Sequence, residues 1–290
     1  MRVVILGSNG LLGSSLVPYL KTCGHDVLTH TRGDRGDLHG DLTSADAVGN
    51  VLSGVAPDVI VNLAALTNVD ECELSPQTAY LTNVRIVENI ATWISANGSA
   101  SHLIQVSTDQ VYGGRGPHKE HDVMLSNYYG FSKYAGELAA ARVASTVLRT
   151  NFIGPSQCRG KPSLSDWLVQ SLVKGDAITV FDDVRFSPLS LTRLVEMIEL
   201  AGRARQPGVF NLGSSDDISK ADLAFALAEA LGLSEKQMTR GSSNARPLTA
   251  NRPKDMSMDS SRFEQLFGVR LPTIREVIKS MREAYKHEAR

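Results

Sequence analysis

The chain has 290 residues, 42% hydrophobic and 21% charged, which is enough apolar side chain to fill a core and excludes disorder as its main state. Its 30 Lys and Arg against 31 Asp and Glu leave a formal charge of -1, so a general nucleic-acid binder, which needs a basic excess, is excluded. Three cysteines without metal-like spacing read as reduced thiols, no apolar run is long enough for a membrane span, and residues 1–2 run straight into a strand-like segment with no secretory leader; a cytoplasmic protein is expected.

Short Val-, Ile- and Leu-rich runs predict strands over 3–6, 27–31, 59–62, 103–107 and 146–149. They show little polar alternation, as strands buried on both faces do. Helices are predicted between them over 11–21, 43–53, 77–96 and 129–143. This alternation implies an α/β fold with a doubly wound parallel sheet. Beyond residue 150 the loops become polar, as at 154–157 and 159–162. Shorter strands follow over 178–181 and 209–212, with helices over 165–173, 191–201, 220–231 and 273–287. Ser219 with Asp222 resembles a capping box. Trp93 and Trp167 are expected to pack in the core, and the mixed-charge tail 279–290 to be a solvated helix end.

Gly7, Gly10 and Gly13 follow the first strand and open the first helix in a G-x-x-G-x-x-G turn. Such a turn allows close backbone approach to a pyrophosphate, with backbone N–H groups around Asn9 and Leu11 facing the anion. The second strand ends His30-Thr31-Arg32 instead of in an acid. Arg32 suits the 2′-phosphate of NADPH, which leaves NADH as the lesser cofactor; a solvated loop arginine is the bland alternative. The fourth strand ends Ser107-Thr108-Asp109, where a parallel sheet binds ligands, so Thr108 can offer its hydroxyl to a carbonyl oxygen. On the next helix Tyr129 and Lys133 stand one turn apart. The lysine is expected to lower the phenol's pKa and to bind the nicotinamide ribose. Tyr128 lies on another part of that helix surface. The seven histidines form no metal-ligand pattern.

Together with residues 57–70, 107–114, 127–137, 148–150 and 251–253, these features resemble the extended short-chain dehydrogenase/reductases and, within them, the dTDP-4-dehydrorhamnose reductase family. The resemblance implies a Rossmann domain over 1–152 and a smaller, mainly substrate-binding part over 153–290 whose elements interleave with the first. It implies reduction of the C4 ketone of a nucleotide-linked 4-keto-6-deoxyhexose, with Thr108, Tyr129 and Lys133 as the catalytic set. It sets Asp41 and Leu42 beside adenine, and Ala64, Ala65 and Thr67 beside the nicotinamide. Asp109, Phe152 and Arg252 fall on the substrate side. Arg185 either meets a phosphate or is a solvated or salt-bridged surface arginine. A nucleotide sugar is the expected partner, and a homodimer is left open. Some members bind a metal through an acid on the first helix; this one carries no carboxylate, so no metal is expected. The competing functions are an NAD-dependent epimerase or dehydratase and a non-catalytic regulatory subunit. Gln110 stands where dehydratases carry a glutamate base, and an amide cannot serve as one.

Overall fold

The computed structural model describes residues 1–158, 160–245 and 249–288. Arg159 of the polar loop and the last two residues of the tail lie outside them. The first half runs β1 (Arg2–Leu6), α1 (Leu11–Thr22), β2 (Asp26–Thr31), a short β3 (Leu38–His39), α2 (Ala45–Leu52), β4 (Val59–Asn62), α3 (Val69–Leu74), α4 (Pro76–Tyr80), α5 (Ile86–Ala96), β5 (His102–Thr108), α6 (Tyr128–Ala140) and β6 (Ser145–Thr150). The strand Gly208–Leu212 pairs with β6, so the large sheet reads, from that edge, Gly208–Leu212, β6, β5, β4, β1, β2, β3, all parallel. This is the doubly wound α/β sheet that the alternation predicts. The order reverses between β1 and β4, and a crevice opens there beyond the strand ends.

Helices cover both faces of the sheet. On one face α1 and the helix Leu191–Ala204 bury Leu12, Leu16, Leu194 and Ile198 against Val3, Ile5 and Val61. On the other, α2, α5 and α6 bury Val48, Leu52, Val87, Ile90 and Ala140 against Val4, Leu6 and Ile60. The strands are apolar throughout because neither face meets water. A second core holds the remaining chain together: Leu168, Leu172, Val180, Phe186, Leu223, Leu227, Met238 and Val277 pack among small two- and three-stranded sheets. Elements from the second half thus complete the first. Among the described residues, no helix is long and apolar enough to cross a membrane.

Three local features differ from the sequence expectation. The stretch expected as one helix over 77–96 contains a π-helical turn, Leu81–Arg85. The widened turn aims Asn83 inward. Its amide accepts from Leu66 N at 2.8 Å and donates to Leu66 O at 3.0 Å and Ser132 Oγ at 2.9 Å, so the distortion is fixed by polar partners. Trp167 is 40% exposed on the helix Leu164–Lys174, whereas Trp93 half-buries its ring against the core beside α2. The Ser219 cap accepts from Asp222 N at 2.9 Å, but the return bond runs from the Ser219 hydroxyl to the Asp222 carboxylate at 2.7 Å; the reciprocal capping box belongs to Ser163 and Asp166.

Candidate active site

The turn after β1 is held from below. Gly7 N and Ser8 N both donate to the His30 carbonyl, at 3.1 and 3.0 Å. Gly7 has φ 75, and a Cβ there would stand 2.8 Å from Ala64 N. A Cβ on Gly13 would collide with the Ser8 backbone. These glycines therefore let β1, β4 and α1 meet more closely than side chains allow. The N-cap of α1 is Gly10; it offers no side-chain cap, and no acid stands in the first turn. A helix start left open in this way, facing a cleft, fits a pyrophosphate and hence a dinucleotide.

The opposite wall is the end of β5 and the start of α6. Asn127 caps α6, accepting from Gly130 N at 2.8 Å. Tyr129 and Lys133 are both buried on the inner face of this helix. Lys133 Nζ donates to Val106 O at 2.8 Å, and burial lowers its pKa to about 8. Burial also pushes the Tyr129 phenol well above its ordinary range; the Thr108 hydroxyl facing it pulls in the opposite direction. The expectation that Lys133 would set the phenol low is not met: the ammonium donates to the Val106 carbonyl, and desolvation of the phenol dominates. Tyr128 is turned away, its N–H on Glu73 at 2.9 Å and its ring tilted against Phe131. Asp109 is fully buried, and desolvation raises its carboxyl to about 6.

Both walls line one cleft of about 590 Å³. It brings together Gly7, Gly10, Leu11 and Gly13, Ala65 and Thr67 from the loop after β4, and Thr108, Asp109, Tyr129, Lys133 and Phe152. The remaining candidates stand apart. Arg32 is exposed beyond β2, close enough to Asp41 to help lower its pKa, although Asp41 is lowered chiefly by bonds from Thr43 N and Oγ1 at 3.0 and 2.8 Å. Leu42 buries its side chain in the core, and its carbonyl accepts from Asn89 at 3.0 Å. Asn9 is exposed, with its carbonyl taken by the Cys158 thiol at 3.3 Å. Ala64 leans on the core below. Arg252 donates to Asp70 at 2.8 Å and lines a neighbouring cavity of about 250 Å³ with Gln110, Phe181 and Lys220. Arg185 is corrected as a substrate contact: it pairs with Asp217 at 2.6 Å on the surface and lines neither cavity.

Sequence inspection missed three residues. Lys220 lines the Arg252 cavity and an apolar one of about 270 Å³ with Trp167, Phe181 and Leu223. Asn151 and Lys161 line the main cleft. A lone lysine after a capping serine carries no signal of this placement. Beneath the site, Glu137 and Arg149 form a buried ion pair, and Ser107, next to Thr108, donates to Glu137. Among the described residues, no group of three or more His, Cys, Asp or Glu is arranged for a metal ion.

The family model described as "RmlD substrate binding domain" matches residues 1–287. The chain is 31% identical to dTDP-4-dehydrorhamnose reductase of Mycolicibacterium smegmatis, over 91% of this chain and 80% of that one. It is 28% identical to the probable low-salt glycan biosynthesis reductase Agl14 of Haloferax volcanii, over 98% of each. The crystal structure of dTDP-4-dehydrorhamnose reductase from Bacillus anthracis in complex with NADP superposes with a TM-score of 0.87 at 24% identity, covering 97% of this chain and 98% of that one; at that identity the likeness speaks for the fold.

Proposed function

The chain belongs to the RmlD substrate binding domain family, and from that premise we propose that it is an NADPH-dependent reductase of the C4 ketone of a nucleotide-linked 4-keto-6-deoxyhexose. One observation carries this: a single cleft joins an uncapped Gly-rich helix start to Thr108, Tyr129 and Lys133. When bound, the dihydronicotinamide supplies hydride for the carbonyl carbon. The backbone of Gly7, Gly10 and Gly13 would hold its pyrophosphate, and Ala65 and Thr67 would line the nicotinamide side. Arg32 and Asp41 would lie at the adenosine end.

Tyr129 holds its proton where the new alkoxide forms, and burial keeps that proton on the phenol until the oxygen charge develops. Thr108 donates to the same oxygen. Lys133, fixed on Val106 O, keeps a positive charge beneath them. Phe152 offers the sugar an apolar surface. Lys220 and Arg252 suit the diphosphate, and the apolar cavity with Trp167 and Phe181 suits a flat base. Gln110 receives the Asn127 amide at 3.3 Å and supplies no base for dehydration. We take residues 1–152 as the cofactor part and 153–290 as mainly the substrate part. We place the protein in the cytoplasm, because all three cysteines are unpaired. A second copy could pack on Phe131 and Leu138, exposed on α6.

The test is NADPH oxidation with a panel of nucleotide-linked 4-keto sugars. Stoichiometric oxidation with a 4-keto-6-deoxy sugar is expected; no oxidation with any of them overturns the assignment.

A further inference from the structure

Asp109 is 1% exposed and has no part in the chemistry above. It sits beside a hydroxyl that does. Thr108 Oγ1 donates to Asp109 Oδ1 at 3.2 Å and accepts from Gln110 N at 3.2 Å. Asp109 Oδ2 accepts from Asn151 Nδ2 at 2.7 Å. From α6 the Tyr129 phenol faces Thr108, with the Asp109 charge felt behind it. From the helix Lys220–Leu231 the Lys220 ammonium faces Asp109. The groups around the carboxyl are therefore Thr108, Asn151, Tyr129 and Lys220.

A hydroxyl has one proton and two lone pairs, so Thr108 cannot serve every neighbour at once. With Asp109 as a carboxylate, the Thr108 proton goes to Asp109. One of its lone pairs takes the Gln110 N–H, and the Thr108 proton does not face a substrate. With Asp109 protonated on Oδ1, the acid donates to Thr108. Its lone pairs are then filled by Gln110 and Asp109, and the Thr108 proton is free to face the carbonyl oxygen. The Asn151 bond to Oδ2 is unchanged in either state.

We propose that Asp109 acts as a carboxylic acid that sets the direction of the Thr108 hydroxyl, aiming it at the substrate carbonyl when protonated and withdrawing it when ionised. Asp109 is a positioning residue, and it neither gains nor loses a proton in the turnover itself. The proposal deepens the reductase assignment and rests on it. Burial, with no direct cationic bond among the described residues, leaves the acid form populated near neutrality, since desolvation raises the carboxyl to about 6 against the opposing pull of Asn151 and Lys220.

The experiment is the pH dependence of kcat, at saturating NADPH and 4-keto-6-deoxy sugar nucleotide, for the starting protein, Asp109→Asn and Thr108→Ala. The starting protein should lose roughly tenfold in kcat per pH unit above about 6, as the acid form is titrated away. Asn is a permanent donor to Thr108, and its carbonyl still takes the Asn151 amide. Asp109→Asn should therefore be flat with pH and faster than the starting protein at pH 8, by about tenfold or more. Thr108→Ala should be slow and should lack the same limb. A flat profile in the starting protein, a slower Asp109→Asn at pH 8, or a limb that persists in either variant overturns the proposal. Should Asp109→Asn not fold, the starting protein and Thr108→Ala decide it alone. If the starting protein oxidises no NADPH with any keto sugar, the reductase assignment falls, and this proposal with it.

Discussion

Replacing Arg149 by Met tests whether the buried ion pair beneath the site holds β6 to α6. Both partners are 2% exposed. Arg149 Nε reaches the two Glu137 oxygens at 3.0 and 3.1 Å, and Nη2 reaches Oε2 at 2.6 Å. Nη1 donates to Tyr112 OH at 2.9 Å and to Glu120 O at 2.7 Å. Met fills much of the same length but returns none of these bonds, so among the described residues Glu137 is left with the Ser107 hydroxyl as its hydrogen-bond partner. Breaking a buried pair from one side costs about 3–5 kcal/mol, because the remaining charge is left uncompensated. At about 2–4 °C per kcal/mol for a protein of this size class, Tm should fall by roughly 6–20 °C. Glu137→Gln/Arg149→Met leaves no buried charge and should recover at least about 1 kcal/mol relative to Arg149→Met. Urea unfolding with a common m-value, beside thermal melts, measures both. The reasoning is refuted if Arg149→Met costs under about 1 kcal/mol, or if the double variant loses the sum of the two single losses.

Tyr129→Phe removes the transferable proton and keeps the ring. Turnover should drop by roughly a hundredfold or more while the NADPH dissociation constant stays put; near-normal turnover would pass the role to another group. NADPH should bind more tightly than NADH, and Arg32→Ala should narrow the gap; titration of both cofactors into both proteins checks this, and a preference for NADH in the starting protein contradicts it. A sugar nucleotide with its C4 hydroxyl intact should not be dehydrated, since Gln110 offers no base; a 4-keto-6-deoxy product formed without net cofactor consumption, detected by mass spectrometry, would show otherwise.

Local features of the chain were enough for the frame. The runs at Val59–Asn62 and Ile178–Phe181 and the helix Lys220–Leu231 stand where the apolar pattern puts them, because strand and helix periods are written in neighbouring residues. The Gly-rich turn and the Tyr129–Lys133 pair were legible for the same reason: each is a short motif on one element. Short or distorted pieces were not legible. The six-residue α3 is too brief to show a period, and the π turn at Leu81–Arg85 depends on Leu66 and Ser132, each more than a dozen residues from Asn83.

What tertiary structure alone decided is the company each charged or polar group keeps. Arg185 and Lys220 look alike in the sequence, yet one pairs with Asp217 on the surface and the other lines two cavities, one of them with Arg252. Trp167 sits on a helix face that the second half leaves partly open. Tyr129 and Asp109 owe their raised pKa values to burial, which no spacing encodes. Periodicity is a property of a segment, whereas desolvation and through-space contact come from chains that meet after folding, as Asp109 and Lys220 do from distant parts of the sequence.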